Sequence, residues 1–185
     1  SNIDADLCGC KNEMDHFKAT ISLKDKQIAD NAKAIADADA ERKKLGEQYN
    51  SEKAKAFDET PYLFDESKWV FDENSTVCSL CGQKLPEDKI EQLKTDFEMK
   101  KAKAKAELET KHMLALNEFK SSNAAKLQEI VNSGYEKKNL IEKLTSENES
   151  LKKEMDELKQ KENAALAKKN EAEKRLSEIP AEADY

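Results

Sequence analysis

The chain has 185 residues, of which 38% are charged, 37% hydrophobic and only 6% aromatic, with 4 Gly and 3 Pro. A typical globular domain is about a quarter charged and about 7% Gly, so this profile excludes an ordinary packed core and matches long helices meeting along narrow seams. The net charge of −7, with acids and bases interleaved at helical spacing, excludes a basic phosphate-binding face, so no direct nucleic-acid contact is expected.

No run of 18 apolar residues exists, so no transmembrane helix or membrane partner is expected, and no secretory signal is visible. The expected location is the cytoplasm. Ser1-Asn2 resembles a tag-cleavage remnant, and residues 1–11 are expected to be disordered or tag-derived. Cys8-Gly9-Cys10 and His16 sit near that end and read as incidental rather than as a metal site.

Residues 12–56 predict a first coiled-coil helix. Met14, Ile21, Ile28, Ile35 and Tyr49 share one heptad position, with Arg42 as the exception. Phe17, Ala38 and Leu45 share the partner position with Lys24, Asn31 and Glu52. These polar intrusions weaken the seam.

Residues 57–86 break the periodicity. Pro61 and Pro86 bracket a segment that holds Phe57, Tyr62, Phe64, Trp69 and Phe71. Trp69-Val70-Phe71 and Thr76-Val77 predict short strands around a turn at Asn74-Ser75. The aromatics are expected to form the mini-core of a small knob. Its acids (Asp58, Glu59, Asp65, Glu66, Asp72 and Glu73) read as solvated.

Residues 87–179 predict a second coiled-coil helix, started by Pro86 and the acids Glu87 and Asp88. A heptad register runs from Met113 to Ile179 through Leu116, Ile130, Leu144, Leu151, Leu158, Ala165 and Ala172. Asn148 at a core position can fix register. Ile90, Leu93 and Phe97 lie in another register, which predicts a stutter between Phe97 and Met113. Residues 180–185 are left as a tail. The expected fold is all-α: a long antiparallel coiled-coil hairpin with an aromatic, strand-containing C-x-x-C knob at its apex. Pairing residue 56 with 87 would set Ile21, Ile28 and Ile35 against 113–130. Residues 134–179 would then lack a partner within the chain. They could pair with another copy through 141–179, or fold back near Gly134. The unbroken register favours a continuous helix.

The chemistry lies in Cys78-Ser79-Leu80-Cys81-Gly82. Two residues between cysteines let both thiolates grip one tetrahedral ion. Gly82 supplies the left-handed backbone of a metal knuckle. Backbone N–H groups can then support the Cys78 thiolate. A structural zinc site takes four ligands and this segment offers two, Cys78 and Cys81. Cys8 and Cys10 would lie roughly 65–70 Å away at helical rise. The simplest closure is a homodimer sharing zinc. No βαβ pattern supports a redox pair. The glycines at 9, 46, 82 and 134 cannot form a P-loop, so no catalytic site is expected here.

A helix, a C-x-x-C apex and a returning helix resemble the zinc hook of DNA-repair ATPases in the SMC-like superfamily, including the bacterial SbcC type. The aromatic run before the motif and Cys-Gly-x-x-Leu-Pro after it look most like phage- or prophage-type members. That resemblance implies that Cys78 and Cys81 are zinc ligands. It also implies an apex fragment that tethers two copies in DNA repair or recombination, with ATPase heads elsewhere. The alternative is a stand-alone coiled-coil scaffold for protein binding, whose C-x-x-C segment holds a structural metal or none.

Overall fold

The computed structural model describes residues 2–179, so the tail expected at 180–185 lies outside the described residues. Two long helices dominate it: α1, Asn2–Ala54, and α2, Glu87–Ser177. The chain is all-α, and no strand occurs among the described residues. Helix α2 passes Gly134 without a break, as the continuous register implied. None of the helices is long and apolar enough to cross a membrane.

Contacts divide the chain into two units. Unit 1 takes Ser1–Gln48 and Ile130–Tyr185; unit 2 takes Tyr49–Glu129.

In unit 1 the helices run antiparallel. Lys24 meets Glu154 at 2.5 Å, Asn31 meets Asn148, and Glu41 meets Lys137 at 2.5 Å. Less exposed residues of α1 recur at 3, 7, 10, 14, 17, 21, 24, 28, 31, 35 and 38, alternating three and four apart, with Thr20 and Ala34 flanking the stripe. Those of α2 do the same at 134, 137, 141, 144, 148, 151, 155, 158, 162, 165, 169 and 172. This is the heptad stripe of two helices seated side by side. Leu151, Met155, Ala165, Ala172, Cys10 and Ala38 are buried in it. Arg42, the charged exception at that heptad position, is exposed.

The register differs from the expected one: the Ile28 carbonyl accepts a 3.2 Å bond from Asn148 Nδ2, whereas Ile28 was expected to face 113–130. The stripe of α2 from 134 to 172 therefore has a partner in α1 within the chain. The helix also starts at Asn2 rather than near residue 12. Ile3, Leu7 and Cys10 extend the stripe, and Cys10 lines a groove with Ala172 of α2. Residues 2–11 are thus helical rather than a disordered end.

The polar intrusions in the seam are matched. Asn31 Nδ2 donates to Asn148 Oδ1 at 2.9 Å, and Lys24 bonds Glu154. A one-heptad slip would bury these groups unpaired, at about 1–3 kcal/mol each. The matching pins the register.

Unit 2 is built differently. Residues 55–86 form no strands. They lie as a strap against the first turns of α2, with three short 3-10 turns at Thr60–Tyr62, Glu66–Lys68 and Glu73–Thr76. The strap carries a tandem repeat of seven: Phe57-Asp-Glu-Thr-Pro-Tyr-Leu63, Phe64-Asp-Glu-Ser-Lys-Trp-Val70, Phe71-Asp-Glu-Asn-Ser-Thr-Val77. Each Asp side chain accepts from the N–H two residues on: Asp58 from Thr60 at 3.0 Å, Asp65 from Ser67 at 3.1 Å, Asp72 from Asn74 at 3.0 Å. That bond turns the chain once per repeat. Each Phe turns toward the helix, and the last residue of each repeat faces outward.

The helix answers with a repeat of eleven. Ile90, Lys101, His112 and Asn123 recur at that interval, as do Leu93, Ala104 and Ala115, and Phe97, Leu108 and Phe119; all are half-buried. Phe57 packs on Phe119 and Phe71 on Phe97, both at 5.6 Å between ring centroids. Phe64 and Leu108 line one groove between them. Glu59 lies 3.6 Å from His112, and Glu66 lies 2.7 Å from Lys101. Seven residues along the strap therefore match eleven along the helix. Eleven helical residues rise about 16.5 Å, so the strap advances about 2.4 Å per residue. That lies between a 3-10 helix at about 2.0 Å and a strand at about 3.3 Å, as a chain of alternating turns and extended links requires.

The strap also accounts for the register. The end of α1 meets α2 beyond the strap, where Asn123 Nδ2 donates to the Glu52 carbonyl at 2.9 Å. An eleven-residue pattern, rather than a single stutter, carries the buried stripe past Phe97. Met113 was expected on the seam, but it is 64% exposed because His112 takes that place.

Candidate metal-binding turn

The strap hands over to α2 through a tight reversal. Cys78 N–H donates to the Gln83 carbonyl at 2.8 Å, Gly82 N–H to the Cys78 carbonyl at 2.9 Å, and Leu85 N–H to the Thr76 carbonyl at 2.9 Å. Val77 and Lys84 form an isolated antiparallel bridge. This single bridge is what exists of the strands expected at 69–71 and 76–77. Asp72 and Glu73 start a 3-10 turn there instead, and Thr76 is buried with its hydroxyl donated to the Glu73 carbonyl at 2.7 Å.

Gly82 has φ +72° and is the positive-φ residue of the described chain. A side chain would find room there, but the backbone conformation disfavours any residue with a Cβ. The turn brings the Cys78 sulfur under the N–H groups of Cys81 and Leu80. Those donors, with the Cys81 side chain, hold the Cys78 thiol below its ordinary value. A thiolate is what a metal ligand must be. The expected knuckle elements, two thiols, a left-handed Gly82 and N–H groups aimed at Cys78, come together in one turn. Cys81 is exposed and Cys78 half-exposed, and neither is in a disulfide.

Among the described residues, no group of three or more His, Cys, Asp and Glu side chains converges as a metal site. The turn itself offers two thiols, a donor type that suits zinc. Cys8 and Cys10 belong to unit 1 and join no such group. The exposed Cys8 sulfur accepts from Asn12 Nδ2 at 3.8 Å, while His16 packs on Phe17 at 6.0 Å. His112 is enclosed by the Phe57 and Tyr62 rings at 5.8 and 5.5 Å, in a packing role. Comparisons with protein-family models, with curated proteins and with solved structures found no match.

The seven-residue repeat that delivers this turn escaped the sequence reading. Its signal was Phe-Asp-Glu at 57, 64 and 71, obscured because each repeat varies at positions four to six.

Proposed function

We propose that this chain is an antiparallel coiled-coil spacer whose C-x-x-C turn joins it to a second copy through one shared zinc ion. Cys78 and Cys81 of each copy supply the four thiolates. The observation that supports this most is the half donor set. Two thiols sit on a knuckle with backbone N–H groups aimed at Cys78, and among the described residues no third His, Cys, Asp or Glu joins them. In this role the chain resembles the zinc hook of SMC-like DNA-repair ATPases. It would act as a non-catalytic tether in repair or recombination in the cytoplasm, with the ATPase parts elsewhere. The acidic charge is consistent with a spacer that does not itself grip DNA.

Metal analysis beside sedimentation tests this. The expected result is about half a zinc per chain in a dimer, lost with chelator and in a Cys78→Ser, Cys81→Ser variant whose helix content is unchanged. A full zinc per monomer, or a dimer indifferent to chelator and to both substitutions, overturns it and favours a stand-alone scaffold.

A further inference from the structure

Leu80, between the two cysteines, is 96% exposed, the most exposed of the large hydrophobic residues in the described chain. It belongs neither to the strap's contacts with α2 nor to the bonds that close the turn. Its backbone N–H faces the Cys78 sulfur, so its side chain projects from the same short turn as the two thiols. We infer that Leu80 forms an apolar contact between two copies of this chain, packing against Leu80 of the second copy beside the shared ion. The inference rests on the proposed zinc joint, and the ligand count is what selects a second copy as occupant. Two turns that contribute thiolates to one tetrahedral ion must approach within a few ångströms, since Zn–S is about 2.3 Å. Leu80, one of the two residues between those cysteines, is then carried close to the other turn. An apolar contact there also shields the thiolates from water, which strengthens their electrostatic hold on the ion. Val77, 41% exposed, adds a second exposed apolar side chain at the base of the turn.

The contact separates affinity from metal chemistry. Leu80→Ser leaves Cys78, Cys81, Gly82 and every backbone N–H in place. The full chain and the variant are compared by sedimentation across a dilution series with zinc, with zinc counted at the highest concentration. The expected result is half a zinc per chain in both, with the variant dissociating at a concentration at least about tenfold higher. Leu80→Met, which keeps an apolar side chain of similar size, should stay within about threefold of the original. If the original dimer depends on zinc and Leu80→Ser dissociates at the same concentration, the Leu80 contact is wrong while the zinc joint stands. If Leu80→Ser binds no zinc, Leu80 serves the turn itself and the inference fails. If the original chain shows no zinc-dependent dimer, the joint fails and the contact fails with it.

Discussion

Unit 1 and unit 2 cover the same helix in two ways. In unit 1, α2 is covered by another helix, and its buried stripe keeps a period of seven. In unit 2, α2 is covered by a strap, and the stripe keeps a period of eleven. A heptad stripe drifts around an ideal helix and asks its partner to wind with it; an eleven-residue stripe drifts slightly the other way. The partners differ to match. A helix presents a knob every three or four residues, so Ala38, Ala165 and Ala172 suffice where backbones come close. A strap advancing about 2.4 Å per residue with alternating sides presents fewer inward side chains, and each must fill more space. That is why five of the chain's aromatics lie in the strap and why Phe97 and Phe119 answer them.

The largest effect should come from breaking the seven-to-eleven match. Deleting residues 64–70 alone removes one repeat and leaves Phe57 and Phe71 unable to hold Phe119 and Phe97 together. Unit 2 should lose about 3 kcal/mol or more, on the scale of a lost core aromatic. Deleting 64–70 together with 98–108 removes one repeat from each side. Phe71 then follows Leu63, and Phe97 sits eleven residues before Phe119, where Leu108 sits in the intact chain. The doubly shortened chain should keep amide protection in both units, while the strap-only deletion loses it in unit 2 alone. Equal damage from both deletions would show that the two repeats are coincidental.

A smaller effect is expected at the polar pair of unit 1. Asn148→Leu leaves Asn31 unpaired in the seam and should cost about 1–3 kcal/mol in denaturant unfolding. Adding Asn31→Leu removes the orphan and should restore most of that stability, with looser register. Cysteines at positions 24 and 154, in a chain whose native cysteines are serines, should cross-link efficiently with the Asn pair present. With both leucines present, cross-links from 24 to 147 or 161 should appear as well. Unique 24-to-154 linkage in the double-leucine chain would mean that register is set elsewhere, for instance by Glu41 and Lys137.

Much of unit 1 was legible because its side chains obey one period. The α1 heptad positions, including the polar Lys24, Asn31 and Glu52, are where their spacing placed them, while Arg42 is exposed. Their partners were not legible. Register in a long seam depends on how much chain intervenes, and the strap takes up length along α2 that a compact knob would not. The parts of the candidate turn were legible because Cys-x-x-Cys-Gly is local: its backbone bonds all close between Thr76 and Leu85. The path to it was not, since strap aromatics next to β-branched residues read as strands. The Asx bonds that turn them into 3-10 segments depend on side-chain geometry rather than on apolar pattern.

The smallest effect compares one ion pair from each unit. Glu41 is bonded by Lys137 in unit 1, and Glu66 by Lys101 in unit 2. In each case the hydrogen bond from the lysine is the chief cause that holds the carboxyl below its ordinary 4.5. A folded value below the unfolded one means that the pair's contribution is complete above 4.5 and fades as pH falls through the lower folded value. Both pairs are solvated, so the change in stability should be slight; the carboxyl titrations themselves, followed by NMR, are the sharper measurement. Both midpoints should lie below 4.5. Lys137→Met should return Glu41 to the ordinary range and leave Glu66 alone, and Lys101→Met should do the reverse. The comparison matters because Glu66 belongs to the second strap repeat and Lys101 to the eleven-residue stripe. If Glu41 titrates low while Glu66 titrates at its ordinary value and ignores Lys101→Met, the strap does not hold its place on α2. In that case a helix covers α2 firmly in unit 1, but the repeat match gives no comparable cover in unit 2.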